Sequence, residues 1–176
     1  HPGMNRPAWA EASALMSDYF DTEWGFPVRD TPGVYERIVL EGFQSGLSWA
    51  VVLRKRPGFR AAFDGFDPEV VARYTAADVE RLLADPGIVR NRRKIEAAIT
   101  NARATTAMTD AGVDLGDLVW SFRPDDPTAG ADATESAESV ALSKALKKHG
   151  FVFVGPVTMF ALMQAIGILE HRQAFS

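Results

Sequence analysis

One carboxylate, two glycines and a tryptophan lie within the run Glu41-Gly42-Phe43-Gln44-Ser45-Gly46-Leu47-Ser48-Trp49. Such a run can build a small pocket with a flat stacking wall and a single anionic acceptor. That combination suits a planar, electron-poor ring. Val34, Ile38, Glu41 and Ser45 fall on one helical line, so Glu41 continues an apolar stripe and points inward. The sequence leaves a second reading open, an exposed pair between Glu41 and Arg37 contributing about 0.5 kcal/mol or less. A buried carboxylate would be costly unless paired, which would make Glu41 a site residue rather than a stabilising one. Trp24 and Trp49 stand close to Gly25 and Gly46, and Tyr19 precedes Trp24 by five residues. Rings beside turns can line a slot for a flat ligand, although large aromatics are more often simply core. Trp9 and Trp120 read as structural.

A second group is basic. Arg90-Asn91-Arg92-Arg93-Lys94 follows a Pro86-Gly87 turn and opens a helix. Cations at a helix N-terminus oppose the macrodipole, so a helix built only for stability would carry acids there. The arrangement makes sense beside an anion, with backbone N–H groups and the basic side chains closing around a phosphate. Helix, tight glycine turn and helix in this order, about 76–105, resemble a helix-hairpin-helix that clamps DNA backbone without reading sequence. Arg54-Lys55-Arg56 and Lys144 to Lys148 can extend the same face.

Composition narrows the alternatives. The chain has 176 residues, 47% of them hydrophobic, a formal charge of −4 and no cysteine. Disulfides, thiol nucleophiles and cysteine-bearing zinc sites are excluded. His1, His149 and His171 stand singly, against both a Ser-His-Asp triad and a histidine-rich metal site. The acidic balance argues against a general polyanion binder but permits a local basic face. No apolar run approaches the ~18 residues of a membrane span, and no signal-peptide pattern precedes the first helix. A monomeric cytoplasmic protein without a membrane association is expected. His1-Pro2-Gly3 is set aside as an expression scar.

The elements that must position these groups read as all-α. Thr31-Pro32 reads as an N-cap with proline at the first helical position, opening a helix to about Ser45 that Gly46 stops. Ser48 caps a short helix from Trp49 to Lys55, and Pro57 stops it and opens the next, from Gly58 to Phe63. Asp67-Pro68 repeats the cap, and Thr75 caps a helix through Leu83. The helix from Asn91 carries Ile95, Ala98, Ile99 and Ala102 at helical spacing. Residues 124–136 read as an exposed loop. Helices from about Glu138 to His149 and from Gly155-Pro156 to about Gly167 complete a single domain over 4–176.

Several blocks together resemble the 3-methyladenine DNA glycosylase I family, within the helix-hairpin-helix glycosylases. They are Asp21 to Gly25, Leu40 to Trp49, Gly87 to Ile95, Val119 to Phe122, Leu142 to Lys148, Gly150 to Gly155, and Met163-Gln164. They lie in order over nearly the whole chain. The resemblance implies an all-α glycosylase fold and base excision repair of double-stranded alkylated DNA, with the damaged nucleotide flipped and its N-glycosidic bond hydrolysed. It implies that Glu41 hydrogen-bonds the edge of 3-methyladenine. Tyr19 and Trp49 then sandwich or flank the ring, and Trp24 forms another wall. Gly46 and Leu47 enter the gap in the duplex, with Leu47 as a wedge, while Gly87, Arg90, Arg92, Arg93 and Lys94 grip phosphate. A ring already cationic needs recognition and orientation more than acid catalysis. With no lysine nucleophile in the proposed pocket, a monofunctional hydrolase without lyase activity is expected.

Two departures stand out. Typical members hold a structural zinc through two Cys and two His, and these positions correspond here to Pro7, Phe20, Arg172 and Ser176, with His171 one residue off. No zinc or other cofactor is expected, and apolar packing by Pro7 and Phe20 is expected to tie the termini. Met16 stands where the family usually places a pocket tyrosine; a thioether packs on a ring but donates no hydroxyl hydrogen bond. Two other functions therefore stay open: excision of a different alkylated base, and binding of damaged DNA without catalysis.

Overall fold

The computed structural model describes residues 5–175; His1 to Met4 and Ser176, including the expected scar and the last zinc-ligand position, lie outside them. Ten α-helices and three 3-10 turns make up the regular structure, with no strand among the described residues. The helices are α1 (Ala14–Thr22), α2 (Thr31–Gln44), α3 (Trp49–Arg54), α4 (Arg56–Ala62), α5 (Pro68–Val71), α6 (Ala76–Leu83), α7 (Arg92–Asp110), α8 (Leu115–Trp120), α9 (Ala137–Lys148) and α10 (Pro156–Ala165).

Local chemistry sets most of these boundaries. Ser13 caps α1 by accepting from the Met16 N–H, Asn91 caps α7 through Lys94, and Ser136 and Ser139 close a reciprocal box at α9. Thr75 and Asp78 form the same box at α6. Two expectations are revised. The cap of α2 is Asp30, whose carboxylate accepts from the Gly33 N–H at 2.9 Å, while Thr31 instead donates to Asp114 at 2.7 Å. Pro57 sits in the first turn of α4, so that helix opens at Arg56 rather than at Gly58, and the missing proline N–H costs nothing there.

Helix α2 is the axis of the fold, packed by α3, α7, α8 and α10. Its second half, Ile38 through Phe43, is buried on every side. Tyr35 is fully buried and donates to the Ala98 carbonyl at 2.7 Å, tying α2 to α7. Phe43 packs on Phe59 with ring centroids 4.7 Å apart, and Phe63 stacks on Phe66 at 5.7 Å. Met16, Tyr19 and Leu53 form a smaller cluster, against which Trp24 and Trp49 pack. The two clusters meet where α2 ends.

The hairpin α6–turn–α7 is anchored to this frame at two points. Lys55 donates to the Pro86 carbonyl at 3.1 Å, and the Gly58 backbone lies against Gly87. A side-chain carbon added at Gly58 would stand 2.2 Å from the Gly87 carbonyl oxygen, so α4 reaches the turn only because residue 58 is glycine. Lys94, at the start of α7, donates to the carbonyls of Phe43 and Ser45. Gly58→Ala is expected to lose about 1–3 kcal/mol by overpacking, read as a lower urea midpoint with an unchanged slope. An unchanged midpoint would contradict the contact.

Candidate active site

Where α1, α2, α3 and α10 converge, a cavity of about 520 Å³ opens, lined among others by Met16, Tyr19, Trp24, Glu41 and Trp49. The five residues expected to form a pocket therefore meet in one. Their convergence follows from the ends of three helices. Met16 and Tyr19 lie one turn apart on the inner face of α1, Glu41 lies in the last turn of α2, and Trp49 opens α3.

Between α2 and α3 runs the turn that the sequence marks with Gly46. Gly46 has φ +78, the left-handed region that glycine enters without strain, and its position is open to solvent. Gln44 closes the turn from both sides. Its carbonyl accepts from the Leu47 N–H at 2.8 Å, and its side-chain amide donates to the Leu47 carbonyl at 2.8 Å. Gly46 and Leu47 thus project as a rigid tip beside the cavity mouth, where Gln44 also forms part of the wall.

Glu41 is 7% exposed and makes no hydrogen bond or ion pair among the described residues. The alternative of an exposed Glu41–Arg37 pair is therefore not what the structure contains. Burial pushes the carboxyl up to about 8, against a partial opposing pull from the Arg37 charge. Arg37 instead shares Glu23 with Arg56. Arg56 grips both Glu23 oxygens at 2.9 and 2.6 Å, while Arg37 reaches one of them at 3.5 Å. Burial alone would raise the Glu23 carboxyl, but the Arg56 hydrogen bonds and the charges of Arg56, Arg37 and Arg60 hold it below its ordinary value. Arg37 Nη1 and Trp49 Nε1 are buried with no partner among the described residues.

The rings adjoin one another. Tyr19 and Trp49 touch, with centroids 5.6 Å apart and planes tilted by 47°. They flank the cavity from one side and leave no ring-wide gap between them, so a parallel sandwich is not preformed. Burial raises the Tyr19 phenol, keeping it neutral.

Three wall residues carry signals that sequence reasoning passed over. Trp9, read as structural, packs edge-on against Trp24 at 5.8 Å and lines the cavity while remaining 36% exposed. Gln164 donates to His171 Nδ1 at 2.9 Å, which leaves His171 Nε2–H to donate to the Ala129 carbonyl at 2.7 Å. That last bond draws the 124–136 loop to the cavity, and Ala131 lines it, so the loop is surface-exposed yet part of the site. The chemistry of Gln164 and His171 is visible in the sequence; their distance from Glu41 along the chain hides the association.

The basic residues divide. Lys94 is committed to the Phe43 and Ser45 carbonyls at the C-terminal end of α2, where its charge meets the negative end of the helix. Arg92 pairs with Glu80 at 2.8 Å. Arg90 and Arg93 are exposed, Arg93 lying over the Phe153 ring at 5.6 Å. The Gly87 N–H is already held by Asp85 at 2.8 Å, whereas the N–H groups of Val89 and Arg90 make no hydrogen bond among the described residues. Of the expected extensions, Arg56 turns inward to Glu23 and Lys55 to Pro86, while Lys144, Lys147 and Lys148 stay exposed along α9.

The terminal junction does not supply a zinc donor set. Phe20 is fully buried, and the Arg172 guanidinium lies 4.6 Å from its ring centroid. The same guanidinium donates to the Phe20 carbonyl and, at 2.9 Å, to the Trp24 carbonyl, which is a cation's environment. No group of three or more His, Cys, Asp or Glu among the described residues could hold a metal. The termini are tied by more than apolar packing: besides Phe20 against Phe175 at 5.8 Å and Arg172 on the Phe20 and Trp24 carbonyls, the Asn5 N–H donates to the Phe175 carbonyl at 2.8 Å.

A model of the methyladenine glycosylase family matches residues 9–175, spanning the pocket, the hairpin and α10. The chain belongs to this family. It is 46% identical over 175 residues to DNA-3-methyladenine glycosylase 1 of Escherichia coli (strain K12), covering 96% of this chain and 94% of that one. It is 43% identical over 173 residues to the DNA-3-methyladenine glycosylase of Haemophilus influenzae, covering 95% and 94%. A solved structure of 3-methyladenine DNA glycosylase I from Staphylococcus aureus, concerned with 3-methyladenine recognition by that enzyme, superposes with a TM-score of 0.87 at 34% identity, covering 94% and 92%. Within this methyladenine glycosylase fold, the cavity at the end of α2 and the hairpin turn share one frame through Lys94.

The burial of Glu41 has a direct consequence for stability. Its folded value of about 8 exceeds its ordinary 4.5, so the folded state holds the proton more tightly. The resulting stabilisation is complete below pH 4.5 and is lost as pH rises to about 8. The slope is at most about 1.4 kcal/mol per pH unit. Glu41→Gln removes this dependence, so its stability relative to wild type should grow as pH rises through that window, measured by urea denaturation. A pH-independent difference would contradict the burial.

Proposed function

We propose that this chain is a DNA-3-methyladenine glycosylase that flips the damaged nucleotide out of duplex DNA and hydrolyses its N-glycosidic bond. The observation that carries this reading is Glu41, a buried carboxylate without a partner, beside Tyr19, Trp24 and Trp49 in a cavity large enough for a purine. An N3-methylated adenine in the nucleotide is cationic. As the bond from N9 to the sugar breaks, its electron pair stays on the ring and cancels that charge, while water adds to the sugar carbon and gives up a proton to solvent. The leaving base needs no proton, so the site's work is to recognise, desolvate and orient. Glu41 is the acceptor for the donor edge of the base. Tyr19, Trp49 and Trp24 offer their electron-rich faces to the cationic ring, and Met16 packs against it through its thioether.

Gly46 and Leu47 enter the space that the flipped nucleotide leaves, Leu47 as the apolar wedge. Phosphate is held at the hairpin by Arg90, Arg93 and the open N–H groups of Val89 and Arg90, with Gly87 shaping the turn. Arg92 contributes by exchanging Glu80 for phosphate, and Lys94 acts from behind by fixing the wedge turn to the hairpin. No lysine is among the residues lining the cavity, which supports hydrolysis without a Schiff base or strand cleavage. The enzyme works as one domain, a monomer, in the cytoplasm and without a cofactor; among the described residues no helix is long and apolar enough to cross a membrane.

Two measurements test this reading. Wild-type protein should release free 3-methyladenine from methylated duplex DNA. Glu41→Gln and Trp49→Ala should each lower the single-turnover rate by about 10²-fold or more while remaining folded. Absence of release at high enzyme concentration would overturn the assignment, and release chiefly of another alkylated base would favour the reading that Met16 leaves open. Separately, Arg90→Ala and Arg93→Ala should weaken binding to all duplex sequences alike. Each should reduce the slope of log affinity against log salt by about 0.9. An unchanged slope would remove the hairpin from the phosphate contacts.

A further inference from the structure

Around Glu41 the buried charges do not balance. Two guanidinium groups, Arg37 and Arg56, share the single carboxylate of Glu23. Arg56 takes the better position, bidentate at 2.9 and 2.6 Å. Arg37 is left with one long bond of 3.5 Å, its side chain 11% exposed and its Nη1 buried without a partner among the described residues. An uncompensated buried cation with an open donor is expensive, and a fold that needed Arg37 only for Glu23 would not keep it. Four residues on, on the same face of α2, stands Glu41, the buried acid that also lacks a partner.

We propose that Arg37 is the positioning residue for Glu41: its open Nη1–H receives the Glu41 carboxylate when that group is ionised, and its charge holds the ionised form in a buried site. The inference rests on the glycosylase reading for its role in activity, but the pairing itself does not. With Glu41 neutral the cluster carries one surplus positive charge; with Glu41 ionised, two cations face two carboxylates. One Glu41 oxygen then accepts from Arg37, and the other stays available to the base edge. Other charged or titratable groups around Glu41 have separate commitments. The neutral Tyr19 phenol comes from α1, the Glu23–Arg56 pair joins the residue after α1 to the start of α4, and Arg60 holds Glu36 at 3.0 Å. Lys94 is fixed on the Phe43 and Ser45 carbonyls, and His171 on Gln164 and Ala129. Arg37 is the cation whose influence reaches Glu41.

Arg37→Met tests this cleanly, because Glu23 keeps both bonds to Arg56 and no carboxylate is orphaned. Single-turnover release of 3-methyladenine should rise with pH as Glu41 ionises. In Arg37→Met that rise should move upward by about one to three pH units, and Arg37→Lys should return it toward the wild-type position. A second readout needs no activity: the upper end of the pH window over which each protein loses stability relative to its own Glu41→Gln counterpart should move upward in Arg37→Met by the same amount, the lower end staying at the ordinary 4.5. If both windows overlay those of wild type, Arg37 does not act on Glu41 and the inference is overturned. If the stability window moves while no protein releases base at any pH, the pairing stands and the glycosylase reading fails instead.

Discussion

The arrangement depends on a single constraint: a carboxylate buried without a hydrogen-bonded partner among the described residues, where ionisation is costly. Glu41 continues the apolar stripe of α2, and that helix is enclosed on all sides at this point. Desolvation therefore dominates the carboxyl, and protonation is the favoured state of the free site near neutral pH. On the proposed reading, a donor-rich cationic ring entering the cavity would reverse this balance, because it would add charge and hydrogen bonds to the pull of Arg37. Discrimination between a cationic base and an ordinary one can thus come from the cost of ionising one group, without a dense set of specific contacts.

A poised acid is useful only if the base arrives in register, and the packing supplies that register. Lys94 binds the last carbonyls of α2 and so joins the hairpin to the helix that carries Glu41. On the other side of the turn, Lys55 and Gly58 fix Pro86 and Gly87 against α3 and α4. The Gly46-Leu47 turn, hairpin and pocket are consequently parts of one rigid unit. Phosphates gripped at the hairpin would lie at a set distance from the cavity, which is how backbone contacts without sequence content can still aim one nucleotide at the site.

Much of this was legible in the sequence, and for identifiable reasons. Helix caps are local, so Asp67, Thr75, Asn91 and Ser136 mark their helices within a few residues. The inward direction of Glu41 follows from helical spacing, and Gly46 announces its own positive φ. What stayed hidden depends on tertiary contact. Helix α1, which carries Met16 and Tyr19, lacks a strong periodic signal and is capped by a single serine. Trp9, Gln164 and His171 reach the cavity from the two ends of the chain, which spacing along the sequence cannot reveal. Lys94 looked like its basic neighbours, and only its two carbonyl partners set it apart. At the terminal junction the loss of thiols and imidazoles was plain, whereas the replacement, Arg172 over Phe20 with its donors on main-chain carbonyls, required the fold.

The central claim is that Glu41 is held neutral by burial and becomes ionised when a 3-methylated purine occupies the cavity. Carbon-13 NMR of the Glu41 side-chain carboxyl, titrated with and without 3-methyladenine, which is neutral once free but still offers its amino donor to the carboxylate, tests it most directly. The account predicts titration near pH 8 in the free protein, moving to lower pH when the base is bound. Titration near the ordinary 4.5 in the free protein, or a midpoint indifferent to the base, would contradict it.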